Sequence, residues 1–207
     1  MKIEWKKEDK VLYLPSATPC LVDVPRHKFY AISGSGNPND DVFGGVVGAL
    51  YALSYGIKMM PKKGVAPEGY FEYTIYPLEG VWDFSEAGRE TESFDKNELV
   101  YKIMIRQPDF VTPELALENL ENMRKNKPDL PLENAAFEEE GDGLSVQMLH
   151  IGSYDEEHIS FEKMEIFCAE NGLERTEKCH REIYLSDPRK TVVEKLKTVL
   201  RFQVKKA

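Results

Sequence analysis

The sequence predicts an α+β protein made of two copies of one strand–helix–strand–strand unit. Three observations predict it. The order strand, Gly-Ser loop, helix, loop, proline-ended strand and further strand occurs twice, over about residues 24–107 and about 143–205. Ile32-Ser33-Gly34-Ser35-Gly36 in the first copy lines up with His150-Ile151-Gly152-Ser153-Tyr154 in the second. A chain of 207 residues that is 42% hydrophobic and 30% charged can bury a full core. Residues 1–207 are expected to form a single domain, with a linking helix at about 112–127. Two such units would join two half-sheets around a pseudo-twofold axis, a common place for a pocket.

The elements follow in order. Residues 1–20 read as an entry arm with a short strand at 11–14. Residues 27–33 alternate as a strand, and Gly34-Ser35-Gly36-Asn37-Pro38 reads as a loop. Gly34 and Gly36 are a fragment of a dinucleotide fingerprint, but no third glycine stands at position 39 and no Walker lysine follows. A plain strand-to-helix connection is the better reading. Asn39 or Asp40 is a natural N-cap for a helix over 42–59, where Val42, Phe43, Val46, Val47, Leu50, Tyr51 and Leu53 keep the helical spacing. Gly44, Gly45 and Gly48 within it predict a close approach by another backbone. Residues 70–76 alternate as a strand, Pro77 to Gly80 breaks it, and 81–84 resumes. Residues 85–96 are a polar link, and 98–106 form a strong strand.

Thr112-Pro113 opens a helix as cap and first residue. The acidic run Glu138-Glu139-Glu140-Gly141-Asp142 reads as a solvated loop. Residues 144–151 form a strand. The next helix has Asp155 near its cap and a stripe of Ile159, Met164, Ile166, Phe167 and Ala169, and Asn171-Gly172 ends it. A strand over 179–188, a helical piece at 192–196 and a last strand at 198–204 complete the chain.

The stretch Cys179-His180-Arg181-Glu182-Ile183-Tyr184-Leu185-Ser186-Asp187-Pro188 carries the most chemistry. Strand alternation places His180, Glu182 and Tyr184 on one face and Arg181, Ile183 and Leu185 on the other. An inward Arg181 needs a partner, and an inward Glu182 needs a reason to be there.

A net charge of −9 argues against a nucleic-acid partner. The start of the chain has no secretion signal, and no apolar run is long enough to span a membrane. Cys20, Cys168 and Cys179 have no metal spacing, and their odd number fits a reduced, cytoplasmic protein. No metal site and no cofactor are expected, since His150 and His180 read as structural histidines without close ligand spacing. Glu79 reads as an exposed turn residue.

Four ordered segments carry a resemblance: Tyr76-Pro77-Leu78-Glu79-Gly80-Val81-Trp82, Met104-Ile105-Arg106-Gln107-Pro108-Asp109-Phe110-Val111-Thr112, His150-Ile151-Gly152-Ser153-Tyr154-Asp155-Glu156-Glu157, and His180-Arg181-Glu182-Ile183-Tyr184-Leu185-Ser186-Asp187-Pro188-Arg189. Together they resemble the stand-alone GyrI-like proteins, relatives of the small-molecule-binding domain of multidrug-sensing transcription activators. The resemblance implies duplicated β-α-β-β units forming an antiparallel sheet or partial barrel. It also implies a central, aromatic-lined ligand pocket and a buried glutamate, matched here by Glu182. Some members are cyclopropanoid hydrolases, which open the strained ring of DNA-alkylating natural products. No helix-turn-helix is read ahead of the matched segments, so a transcription-factor role is not expected.

On this basis Glu182 is the expected catalytic base. Tyr154 is the expected hydrogen-bond donor to a developing oxyanion. Trp82, Tyr30, Tyr70, His180 and Tyr184 are the expected ligand-binding residues, with aromatic faces for a flat substrate. The same residues suit a binder that sequesters lipophilic cations without turnover. A gyrase-inhibitor-like interaction protein is the third reading. An aromatic small molecule is the expected partner in the first two, and the oligomeric state is left open.

Overall fold

The structure is a computed structural model that describes residues 2–90 and 95–207. In chain order the helices and strands are α1 (Trp5–Glu8), α2 (Lys10–Tyr13), β1 (Cys20–Val24), β2 (His27–Ser35), α3 (Asp41–Lys58), β3 (Leu78–Phe84), α4 (Glu86–Glu90), β4 (Leu99–Gln107), α5 (Pro113–Asn126), β5 (Ala135–Glu140), β6 (Gly143–Ile151), α6 (Glu157–Glu170), β7 (Leu173–Arg175), β8 (His180–Tyr184) and β9 (Lys197–Lys206). The protein is therefore mixed α+β. The pairs β1–β6, β2–β4, β2–β5, β6–β9, β7–β9 and β8–β9 are all antiparallel. No helix among the described residues is long and apolar enough to cross a membrane. Part of the polar link read over 85–96 falls on residues 91–94, outside the described residues.

The chain divides into two compact units. The first holds residues 1–4, 27–78 and 83–140, and the second residues 5–26, 79–82 and 141–207. The same plan occurs in both: a strand, a helix packed on it, and a later strand that pairs back with the first. It is β2, α3 and β4 in the first unit, and β6, α6 and β9 in the second. α5, expected as a link, is part of the first unit and packs on α3 and β5.

In the first unit α3 buries Val46, Ala49, Leu50, Leu53, Ser54 and Ile57, a stripe at the 3, 4 spacing of one helix face. α5 begins as predicted. Thr112 caps it by accepting from the Leu115 N–H at 3.2 Å, with Pro113 in the first turn. The backbone approach predicted at Gly44, Gly45 and Gly48 is not found; the close contact on α3 is made by a side chain, at another glycine. Gly44 and Gly48 face open space, whereas a Cβ on Gly56 would collide with the Asn119 side chain. Asn119 is buried and donates to the Leu53 carbonyl and to the Tyr30 hydroxyl, both at 3.1 Å. Gly→Ala in a helix interior normally stabilises by about 0.5–1 kcal/mol. Here the sign reverses. Gly56→Ala is expected to destabilise by about 1–3 kcal/mol, because the methyl displaces a hydrogen-bonded amide; urea unfolding of the variant measures it.

Several expectations change in this unit. Residues 70–76 form no ladder. Tyr73 makes a lone parallel bridge to Ile3, and the alternating rings of Tyr70, Phe71 and Tyr73 cluster edge-on around Phe110 and each other. The period-2 pattern there records aromatic packing. The strand starts at Leu78, inside the supposed break. Gly34 extends β2 instead of opening a loop, and the Tyr101 ring lies over it from the paired strand. The run 138–140 is strand β5, with Lys102 bridging Glu138 and Glu140.

The second unit has the strand order β1-β6-β9-β8-β3, with β7 also on β9. One face of this sheet packs under α6 around Val146, Met148, Met164, Cys168, Leu173, Leu200, Phe202 and Val204. The buried stripe of α6 is Glu157, Ser160, Met164 and Cys168, while Ile159 and Ile166 are exposed. The apolar stripe read from the sequence was thus the wrong face. The other side of the sheet sets the polar Gln147, Arg181 and Arg201 beside the buried Ile183 and Val199, and the arm of residues 5–13 lies over its polar part. Residues 11–14, read as a strand, lie mainly in α2. Its end carbonyls lack intrahelical donors and accept instead from Gln147 Nε2 at Val11 (2.7 Å) and from Arg201 at Leu12 (2.8 Å).

Candidate functional site

Alternation along β8 settles which side chain faces which way. Pairing runs Arg181↔Arg201↔Gln147 across three strands, and Glu182↔Leu200↔Met148 alongside it. Glu182 thus lies on the α6 face, and Arg181 lies beneath the arm. Two arginines directly opposed on paired strands repel. Asp142 resolves this. It takes Arg181 bidentately, with Nε and one terminal nitrogen both at 2.8 Å, and meets Arg201 at 3.2 Å. Gln147 Oε1 accepts twice from Arg201, at 2.8 and 3.0 Å. Glu79 closes the network, accepting from Arg181 at 3.1 Å and from the Tyr13 hydroxyl at 3.0 Å. Glu79 was expected to be exposed in a turn; it is instead a buried strand residue, because Arg181 needs a second anion. Burial pushes its carboxyl up, against the pull of Arg181 and Arg201. Burial opposes ionisation at Asp142 too, but there the two guanidiniums win and hold the carboxyl below its ordinary value.

The α6 face carries the candidate site, and its geometry is built at the β6–α6 corner. His150 Nε2 faces the Ser153 carbonyl at 2.9 Å, so Nε2 must carry the proton. Nδ1 then accepts from the Ser160 hydroxyl, also at 2.9 Å, in the neutral ring. His150 is a structural histidine, as expected, and it ties the end of β6 to the first turns of α6. Ser153 caps the turn by accepting from the Asp155 N–H at 3.2 Å. This corner presents Tyr154 and Glu157 toward β8.

Glu182 is 12% exposed at its side chain and meets His180 Nε2 at 3.0 Å. Tyr184 stands beside Glu182 on the same face of β8, and the Trp82 indole N–H donates to its hydroxyl at 2.7 Å. Burial first, then the Glu182 charge, pushes the Tyr184 phenol well up. Tyr154 stands edge-on to Tyr184 with centroids 6.0 Å apart, and it is 37% exposed. Its phenol is pushed up to about 12, by burial and then by the charges of Glu182, Glu157 and Asp187. His180 packs against the Phe161 ring at 4.8 Å.

Of the predicted residues, Glu182, His180, Tyr184, Trp82 and Tyr154 come together in the second unit. Tyr30 and Tyr70 belong to the first. Tyr30 is fully buried, and its hydroxyl donates to the Ala116 carbonyl at 2.9 Å while accepting from Asn119. Burial raises its phenol, and no ring face is open for a ligand. Tyr70 packs on Phe110 and donates to the Lys58 carbonyl at 3.4 Å.

Sequence reasoning missed Glu157. It is 7% exposed, next to Glu182, and its Oε1 has no hydrogen-bond partner. Donor atoms of Glu157, His180 and Glu182 all lie within 4.8 Å of one another. The ligand spacing thought to be missing is therefore present, and these three could hold a metal ion. The signal was a polar residue at the head of the 3, 4, 4 spacing Glu157, Ser160, Met164, Cys168.

A duplicated antiparallel α+β fold with a carboxylate set among aromatics is the frame of a small-molecule-binding protein. The chain belongs to the GyrI-like family: the GyrI-like small molecule binding domain matches residues 18–205. A search of the curated proteins finds no match. Among solved structures, a hydrolase from Listeria innocua is 35% identical with a TM-score of 0.88, over 98% of this chain and 100% of that one. An uncharacterized conserved protein from Listeria innocua is 36% identical with a TM-score of 0.90, again over 98% and 100%. The C-terminal domain of EcmrR shares the fold at 15% identity, with a TM-score of 0.53 over 92% and 98%.

Proposed function

We propose that the protein binds flat, hydrophobic aromatic molecules and hydrolyses cyclopropanoid DNA-alkylating toxins, protecting the cytoplasm from them. The observation that carries this reading is Glu182, partly accessible and held by His180 beside the Trp82–Tyr184 pair. The hydrolase from Listeria innocua, similar over nearly the whole chain, supports a hydrolytic role.

The step balances as follows. Glu182 takes a proton from water, and the water oxygen bonds to the cyclopropane methylene carbon. The strained C–C bond breaks, and its electron pair passes to the conjugated carbonyl oxygen. Tyr154 gives that oxygen a proton, and the proton on Glu182 restores the phenol. The net change is addition of one water. A phenol pushed up to about 12 stays neutral at physiological pH, so it donates to an oxyanion without ionising first. The Tyr154 ring offers the aromatic face most open to a flat substrate.

A second reading is favoured by the carboxylates themselves: an anion beside aromatic rings also captures lipophilic cations without turnover. Incubation with a spirocyclopropyl cyclohexadienone separates the two. A ring-opened product heavier by one water is expected by mass spectrometry, at a rate well above buffer. A thermal shift with hydrophobic cations and no product would leave capture as the function.

A further inference from the structure

We propose that Glu157, His180 and Glu182 hold a divalent transition-metal ion. The three side chains converge from two rigid elements, Glu157 in the first turn of α6 and the other two at alternate positions of β8. Their donor atoms all lie within 4.8 Å of one another. Ligand atoms about 2.1 Å from one zinc ion stand about 3–4 Å apart. His180 Nε2 and Glu182 Oε1, at 3.0 Å, already have that separation. The Glu157 carboxylate joins them with a shift of about an ångström, which the torsions of a glutamate side chain allow. The Phe161 ring packs against the imidazole and limits its rotation.

Two observations apart from the spacing point to a cation. The first is the charge on the two faces of the sheet. Beneath the arm, Glu79 and Asp142 meet two buried arginines. On the α6 face, Glu157 and Glu182 meet one histidine, and among the described residues no lysine or arginine pairs with either. Two carboxylates at such depth need a counter-charge. The second is a pair of orphan polar atoms. Glu157 is 7% exposed, and its Oε1 has no hydrogen-bond partner. The Thr198 hydroxyl is likewise buried and unpartnered, on the α6 face of β9 opposite Tyr184. Buried polar atoms nearly always find partners, so two orphans around one row of side chains mark a ligand that the chain does not supply. The donor set selects the ion. One imidazole nitrogen with two carboxylate oxygens suits zinc, iron or manganese better than calcium or magnesium, which take oxygen ligands throughout. Three protein ligands leave a position open for water, as in catalytic zinc sites and unlike closed structural ones. A carboxylate that gives one oxygen to the ion keeps the other, so the site goes beyond the reading of Glu182 as base without needing it.

Calorimetric titration of the whole protein, stripped with EDTA and dialysed, with zinc chloride tests this without any substrate. Binding of one ion per chain is expected. Glu157→Gln and His180→Gln are each expected to weaken it at least about 100-fold, beyond the 10–100-fold that loss of an outer-shell partner costs. His158 is exposed on α6 and outside the cluster, so His158→Gln is the control and is expected to bind as the wild type does. Cobalt(II) loading of the wild type gives a readout that needs no variant to fold. The d–d bands of a nitrogen and oxygen ligand set are expected, without the thiolate charge-transfer band of a cysteine site. No binding by the wild type, undiminished affinity in either Glu157→Gln or His180→Gln, or a thiolate band overturns the proposal. A failed hydrolysis assay leaves it intact, and its own failure leaves the reading of Glu182 as base standing.

Discussion

Replacing Glu182 by Gln is expected to lower cyclopropanoid turnover about 10²–10⁴-fold, the usual contribution of a positioned base. The amide preserves the size of the side chain and can still hydrogen-bond to His180, so β8 has no reason to move. It cannot take a proton from water. Binding of a neutral aromatic ligand is expected to stay within a few fold, because that affinity comes from ring contact. A lipophilic cation should behave otherwise. Loss of the anion is expected to weaken it about tenfold to a hundredfold, as a charge-assisted contact is removed. Single-turnover rates and calorimetric titrations on the same variant therefore separate base from receptor. An unchanged rate would rule out Glu182 as the base, and unchanged binding of both ligand types would remove it from the site.

Glu182 was legible because β8 carries a short, clean alternation. Position 182 is polar, sits between Arg181 and Ile183, and shares its face with Tyr184 and His180. α3 and α5 were equally legible, since each keeps a helical stripe between recognisable ends. What escaped was of one kind: polar residues made inward by distant partners. Glu79 and Asp142 lie beside glycines, which is how loop residues look. Only their pairing with Arg181 and Arg201, far along the chain, makes them core. The sequence did pose the question, because an inward Arg181 requires an anion. It could not say which of 36 acidic residues answers. Glu157 escaped for a related reason: the α6 stripe was traced through Ile159 and Ile166, which are exposed, while the buried face opens with a glutamate and a serine.

Asp142→Asn is expected to destabilise the protein by about 3–5 kcal/mol, since it leaves two buried guanidiniums short of their shared anion. For a chain of this length that is roughly 6–20 °C in Tm. The pH dependence has a definite sign. The Asp142 carboxyl lies below its unfolded value, so its stabilisation is fully present above the ordinary aspartate range. It is lost as pH falls through the depressed folded value. The wild type should therefore lose stability on that acid limb, and Asp142→Asn should show a shallower one. The consequence reaches the site because the network sets strand register. Arg181 and Glu182 are adjacent on β8, and a slip of one residue would exchange their faces. The aspartate that holds Arg181 beneath the arm thereby keeps Glu182 turned to Tyr154 and Glu157. Asp142→Asn is thus expected to weaken aromatic-ligand binding as well as stability, although Asp142 is no part of the candidate site. Full ligand affinity in a variant that has lost the expected stability would separate the network from the site.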